Sequence, residues 1–350
     1  MLKTKTYKSF IFCVLFFLAL TQVHAQSSDP PITDMDDIFT DYVKDITAAA
    51  ALTGSIGLAW SKQYIGPFIQ RPSHWGIGIS VGTVTLKMNN IEKMAAAILG
   101  VDLSRSFADK QILPSYVAEM RVGGNSRRRL DFGIKGGFLP VVPILFKNGL
   151  DYNFLHYGFD VRYGLLHEYK HTPDLGIGIE VDRVKGGLTN DSQGEIEYIR
   201  GAETSSLTYD TWSINAKAGV SKTFFYPSIT IFANLKIGIS LSKSGYKFDG
   251  SSLQILENDG AGGTVFNNIH QKSKSQLEKS GEYLSDIFGT GKFTVTPESI
   301  SCILDKNVFN LNTTEGVSFN FYNGCVLQFT FMFDFTHLEY GGSISFRYQR

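Results

Sequence analysis

The sequence predicts an all-β chain, an antiparallel transmembrane β-barrel of about twelve strands (range ten to fourteen) with a short N-terminal helical plug. Three observations carry this. Extended segments alternate residue by residue between apolar side chains and Gly, Ser, Asn or charged ones. Several of them run ten residues or more, beyond the usual sandwich strand and enough for a tilted bilayer crossing. A secretion leader stands in front of them. Alternation of this kind suits a closed wall whose outer face is solvated by lipid and whose inner face meets water or a plug.

The leader reads as an address. Lys3, Lys5 and Lys8 form a basic start, Phe10 to Leu20 an apolar run, and Val23-His24-Ala25 a small-residue cleavage site, so the mature chain begins near Gln26. The run is too short to span a membrane as a helix, and no later segment is long enough either. Of 33 basic and 33 acidic residues, three lysines lie in the leader, which leaves 30 against 33 and a net of −3. That balance gives nucleic acid nothing to bind. Cys302 and Cys325 survive processing, too few for a disulfide framework, and both a pair and two free thiols remain open.

Residues 26–53 form the N-terminal segment. Asp34 to Leu52 has a helical period, with Ile38, Phe39, Tyr42, Val43 and Ile46 on one stripe and Asp34, Asp36 and Asp37 suiting the dipole at its first turn. Preceding all strands, its place in a barrel is the periplasmic mouth or the lumen. Ile91 to Leu99 is a second helical patch. Ser275 and Glu278 make a capping-box pattern before a third, which carries Leu277, Leu284, Ile287 and Phe288.

Residues 54–350 read as the barrel. Trp75 to Val81 alternates with glycines and a serine, and Tyr116 to Val122 and Leu130 to Phe138 flank a short turn. Tyr157 to Leu165, Leu175 to Val181, Trp212 to Val220 and Ile229 to Leu241 follow, then Phe329 to Phe335 and Ile344 to Tyr348. Ser55 to Trp60, Lys292 to Pro297, Ser299 to Leu304 and Gly316 to Phe321 are weaker strand candidates. Residues 187–206 and 242–290 read as long loops.

If the apolar rows face lipid, the opposite parity lines the lumen. Its charged members are Glu119, Arg121, Asp131, Lys135, Asp160, Arg162, Glu180, Asp182, Lys217, Lys236, Asp334 and Arg347, six acids and six bases. So even a balance argues against an ion-selective pore and favours cross-linking by ion pairs. Eleven glycines share this parity, from Gly76, Gly78 and Gly82 to Gly219 and Gly238, and leave the wall thin. Water or the apolar-striped helix can fill that space.

The leader, the helix ahead of the strands, the long strands and the aromatic C-terminal strand resemble bacterial outer-membrane β-barrel proteins. In architecture the chain is loosely similar to the FadL-like transporters of hydrophobic compounds. The departure is Gln349 and Arg350 after Tyr348, where the family's terminal strand ends on an aromatic. The resemblance implies the outer membrane of a diderm bacterium, outer-membrane lipid as solvent, the outer-membrane assembly machinery as partner, and binding or passage of small hydrophobic solutes. The alternative is a non-transporting surface protein with partner-binding loops. No His-x-Ser lies on one strand face, and the helical metal spacing of His167 and His171, beside Glu168, falls at a strand end and turn, where it does not align the side chains. The expectation is no catalytic residue, no metal and no cofactor.

Overall fold

The structure, a computed structural model, describes residues 35–66, 74–87, 110–124, 129–142, 150–169, 172–190, 199–224, 229–258, 264–288, 291–321 and 323–350. A helix, α1 (Met35–Thr53), comes first. The alternating segments form strands β1 (Trp75–Lys87), β2 (Lys110–Gly123), β3 (Leu130–Val142), β4 (Leu150–Leu166) and β5 (Asp174–Asn190). After the short β6 (Ile199–Arg200) come β7 (Thr204–Phe224) and β8 (Ile229–Asp249). An insertion follows, with β9 (Gln254–Asn258), β10 (Thr264–Asn268), helix α2 (Lys274–Phe288) and β11 (Lys292–Val295). Strands β12 (Ser299–Asn320), β13 (Cys325–Asp334) and β14 (Glu339–Gln349) complete the chain.

Ten strands close a ring in the order β12-β13-β14-β1-β2-β3-β4-β5-β7-β8, with every ladder antiparallel. Closure is the β8–β12 ladder, which runs from Ser299 opposite Asp249 to Phe319 opposite Ile229. At the other join the last residue meets the first strand, where Trp75 and Arg350 exchange backbone hydrogen bonds of 3.1 and 2.9 Å. Every barrel strand is paired on both sides through the belt, as a wall in hydrocarbon requires; the shortest ladder, β2–β3, runs from Ala118 opposite Gly136 to Gly123 opposite Asp131.

Ten is the low end of the range, and the sequence explains the gap from twelve. Ser299 to Leu304 and Gly316 to Phe321 are two ends of one 22-residue strand. Lys292–Val295 pairs only with the upper part of β12, outside the ring. Ser55 to Trp60 is not a strand at all: it runs buried through the lumen.

The apolar rows lie outside. Ile79, Ile134, Phe159, Ile179, Ile214, Ile239 and Phe346 are each half exposed or more, while Ser80, Lys135, Asp160, Glu180, Ser213, Ser240 and Arg347 beside them are buried. Such a belt would be an aggregation surface in water and is the ordinary outer face of a membrane barrel. Aromatic pairs mark both rims, Trp75 with Tyr348 (5.8 Å between centroids) at one end and Tyr157 with Trp212 (6.1 Å) at the other.

The ring has two unlike ends. Short connections at 124–129, 167–173, 225–228 and 321–324 define a turn end, shared by Trp75 and Arg350. At the loop end β7, β8 and β12 rise past the belt and carry the insertion. There β6, β9 and β10 form a small sheet, and Ile199, Phe248, Leu253, Ile255, Ile269, Leu277, Leu284, Phe293 and Ile300 make a core separate from the lumen. The expected loops are therefore shorter: β5 runs to Asn190, β7 starts at Thr204, and β8 continues to Asp249. The capping box of α2 sits two residues earlier than the sequence suggested. Ser273 donates from its backbone N–H and its hydroxyl to Gln276 Oε1, both at 2.9 Å. The patch Ile91 to Leu99 lies outside the described residues. Cys302, at the loop end, and Cys325, at the turn end, form no disulfide with each other and lie roughly 60 Å apart along the strands.

Two outcomes follow. Phe159→Arg, mid-belt on β4, should cost about 2–4 kcal/mol in lipid vesicles, read from the urea midpoint; no loss there would contradict a lipid-facing row. In the insertion, burial pushes the Glu257 carboxyl up, but hydrogen bonds from Lys272, Ser280 and Asn267 outweigh it and hold it below the usual range. A lowered carboxyl stabilises above its unfolded value and loses that as pH falls through the folded one. Protease sensitivity of the insertion should accordingly rise as the pH falls below the ordinary carboxylate range, and Glu257→Gln should flatten the dependence.

Candidate functional site in the plugged lumen

After α1 the chain turns at Gly57 (φ +78°) and Leu58 (φ +55°) and continues as an irregular thread, residues 54–66, down to the turn end. An added Cβ at Gly57 would stand 2.6 Å from Val117 Cγ2, so glycine is required on both counts. The inward glycines make room for this thread. A Cβ at Gly76 would lie 2.3 Å from the Trp60 ring, one at Gly133 2.7 Å from Leu58, and one at Gly219 2.2 Å from Gln63. The thin wall is thus filled by the protein's own backbone.

An irregular backbone inside a wall must have its polar groups satisfied. Glu119 does most for the thread. Its carboxylate accepts from the Leu58 N–H (2.6 Å), the Trp60 indole (2.8 Å), the Ser80 hydroxyl (2.7 Å) and Arg347 Nε (2.7 Å). Arg347 also donates to Gln328 Oε1 (2.5 Å), and Gln328 donates to the Ala59 carbonyl (2.5 Å). The Trp60 ring lies within reach of two guanidinium groups, Arg347 at 5.1 Å and Arg121 at 5.6 Å.

The remaining lumen charges form one connected set. Arg121 bridges Asp131 and Asp160, the latter at 2.6 Å, and Arg162 holds Asp131 through two 2.9 Å bonds while donating to the Lys62 carbonyl at 2.8 Å. Lys217 pairs with Asp160 and with Glu180 (3.2 Å). Glu180 also receives Lys236 (3.0 Å) and Lys135 (3.2 Å). Lys135 reaches Asp182 (2.7 Å) and the Gly54 carbonyl, and Lys236 reaches Ser55 (3.3 Å). Asp334 stands apart at the loop end, where it accepts from the Thr336 N–H (2.7 Å) and lies 3.1 Å from His337 Nδ1. Eleven of the twelve sequence-derived charges therefore meet in one network around the thread, and all twelve are buried.

The sequence reading left out Asp174, which accepts from the Gln63 N–H (3.0 Å), and Asn234, which accepts from Gln63 Nε2 (3.2 Å). It also left out Trp60 and Gln328. Inner-face parity could have found Asp174, Asn234 and Gln328, whereas nothing local marks Trp60 as a lumen residue. His156 is fully buried beside Asp182 (3.7 Å), with neither ring nitrogen hydrogen-bonded among the described residues.

Above this zone the lumen changes character. Val43, Ile46, Ala49, Ala50 and Leu52 of α1 pack with inward Val84, Leu86, Leu113, Phe154, Val184, Tyr209 and Met332 of the wall. The run Ala48–Ala51 keeps the helix slim enough to fit. Thr47 and Thr53 bond back to the carbonyls of Val43 (2.6 Å) and Ala49 (2.8 Å), so no hydroxyl intrudes on the apolar contact. Near the start of α1 a cleft of about 260 Å³ is lined by Thr40, Val43, Gly291 and residues 303–306, at the loop end of β12. The side chains of Ile38, Phe39 and Tyr42 lie outside the described residues. Among the described residues no group of His, Cys, Asp and Glu is arranged to hold a metal ion.

No family model and no curated protein matches the chain. Among solved structures, the translocator domain of the autotransporter NalP from Neisseria meningitidis is 9% identical, over 89% of this chain and 97% of that one, at a TM-score of 0.38. The outer-membrane protease OmpT from Escherichia coli is 8% identical, over 80% and 97%, at 0.38. The toluene transporter TbuX from Ralstonia pickettii is 9% identical, over 79% and 88%, at 0.25.

Glu119→Ala removes the acceptor shared by two thread donors and Arg347, and should cost about 3–5 kcal/mol by stranding a buried charge. Urea unfolding measures the loss, and faster hydrogen exchange at the Leu58 amide reports release of the thread.

Proposed function

We propose that this chain is an outer-membrane barrel that binds or passes small hydrophobic solutes, with α1 and the thread as its gate. The observation that carries the reading is the two-zone lumen. In its upper half the helix is held by apolar packing, which another apolar body can replace at little cost, whereas in the lower half the thread is held by ion pairs and hydrogen bonds. A solute arriving from the loop end would meet first the cleft beside Thr40 and Val43, then the apolar wall that α1 now covers. Sugars and ions have no comparable place, because the charges of the lower zone are already paired with one another. We read the protein as non-enzymatic, since the buried lumen charges serve the thread.

The outer-membrane setting rests on the outward belt, the rim aromatics and the leader. By the usual arrangement of such barrels the short turns face the periplasm and the loop end faces outward. A second reading has its own support: the insertion between β8 and β12 is a folded unit with a core of its own, a suitable platform for binding a partner at the cell surface without transport.

In vesicles, deleting residues 35–53 should raise uptake of an apolar fluorescent probe several-fold and leave sugar uptake near background. Failure of the intact protein to bind such a probe, together with uptake unaffected by the deletion, would overturn the proposal. Trimming the insertion with protease favours the surface-protein reading if it abolishes a binding activity while flux persists.

A further inference from the structure

Strand β12 carries a carboxyl group on the lipid side. Asn312 and Thr314 are buried in the lumen, so Thr313, Glu315 and Val317 point outward, between Phe309 at the loop-end rim and Phe319 and Phe321 at the turn-end rim. Glu315 is six residues from Phe309 and six from Phe321, roughly 15 Å from each along the membrane normal at the usual rise and tilt. That places it near the middle of the hydrocarbon. The outward charges Lys222, Arg183, Asp210 and Lys243 sit at the rims, where Lys222 pairs with Glu168 and Arg183 with Asp210. Glu315 makes no hydrogen bond and no ion pair among the described residues.

An isolated carboxylate is excluded from hydrocarbon, so the group is held there as the neutral acid. A neutral acid still has one O–H donor and free acceptor lone pairs, and lipid tails satisfy neither. Something at the same depth must supply both. The described residues of the belt contain no outward base, so no other face of the barrel offers Glu315 a cation. A second Glu315 does fit, because two protonated carboxyls donate to and accept from each other across a two-fold axis, the self-complementary contact of an isologous dimer. The surroundings allow the approach. The neighbour of Glu315 on β8 is Ala233 and its strand neighbour is Thr313, so the wall is low immediately beside it, with Val220 of β7 the next outward residue across the sheet. Small side chains of this kind let membrane-embedded backbones come close.

We propose that the outward face of β12, β8 and β7 is a homodimer interface, with Glu315 of one copy hydrogen-bonded to Glu315 of a second copy near the bilayer midplane. The contact is independent of what the lumen carries.

The test uses full-length protein in lipid vesicles, with Cys302 and Cys325 replaced by Ala. Glu315→Cys should cross-link to itself on oxidation, whereas Ile134→Cys, outward on β3, should not. In the unmodified background Glu315→Leu should weaken dimerisation at least tenfold. Glu315→Gln, whose amide also donates and accepts, should preserve it. Ala233→Phe should abolish it by bulk while heat-modifiable gel mobility shows the barrel still folded. The proposal is overturned if the native protein is monomeric in vesicles, if Glu315→Leu dimerises as well as wild type, or if Glu315→Cys cross-links to a different protein and not to itself.

Discussion

The ladder between β8 and β12 is the contact on which the rest of this structure depends. A backbone in hydrocarbon has no water to turn to, so every N–H and C=O of the wall must find a partner within it. Nine ladders join consecutive ring strands and leave β8 and β12 with open edges; the tenth, 21 residue pairs long, removes both. Once the wall is closed, alternation has a fixed meaning: one parity meets lipid and the other an enclosed space about as wide as a helix. The large apolar residues outside and the small or charged ones inside are consequences of that closure.

Inside, the same constraint acts on an irregular segment. Residues 54–66 make no ladder, so their backbone groups are met by side chains from the wall: Glu119, Asp174, Arg162, Lys135 and Gln328 each bond a thread N–H or carbonyl. Those side chains are charged because a single acceptor or donor has to serve several partners at once, and they come in near-equal numbers because an excess of either sign would be stranded in a dry interior. The six-to-six balance in the sequence is thus a sign of a filled lumen. An open channel would have kept water to solvate an imbalance.

Much of this was legible from the residues alone. Parity located the outer rows and picked out side chains such as Arg121 and Glu180, because a strand's geometry allows only two faces. Length was harder. Residues 299–320 read as two short candidates because Asp305 to Asn307 and Glu315 interrupt the outward apolar row, yet hydrogen bonding to β8 runs through both interruptions. Ser55 to Trp60 resembled a strand because it is apolar and short, and only the glycines facing it across the lumen distinguish it, a relation over long sequence separation that no local pattern contains. Asp174 lies one residue before the Leu175 to Val181 row although it shares the parity of Glu180 and Asp182. The role of the alanine run in α1, slimness, appears only with the wall in place.

The thread also has a consequence for how the molecule is made. It is enclosed by ten strands, all of which come later in the polypeptide. A sealed cylinder of this bore, already packed with salt-linked arginines and lysines, offers no slot through which a segment with a helix at one end could be pulled afterwards. The thread must therefore be in place at the centre while the staves are raised around it, and Glu119, on the second stave, is the earliest of the side chains bonded to it. Assembly then has a direction built into it, with the last stave, β14, locking against the first only after the contents are aboard.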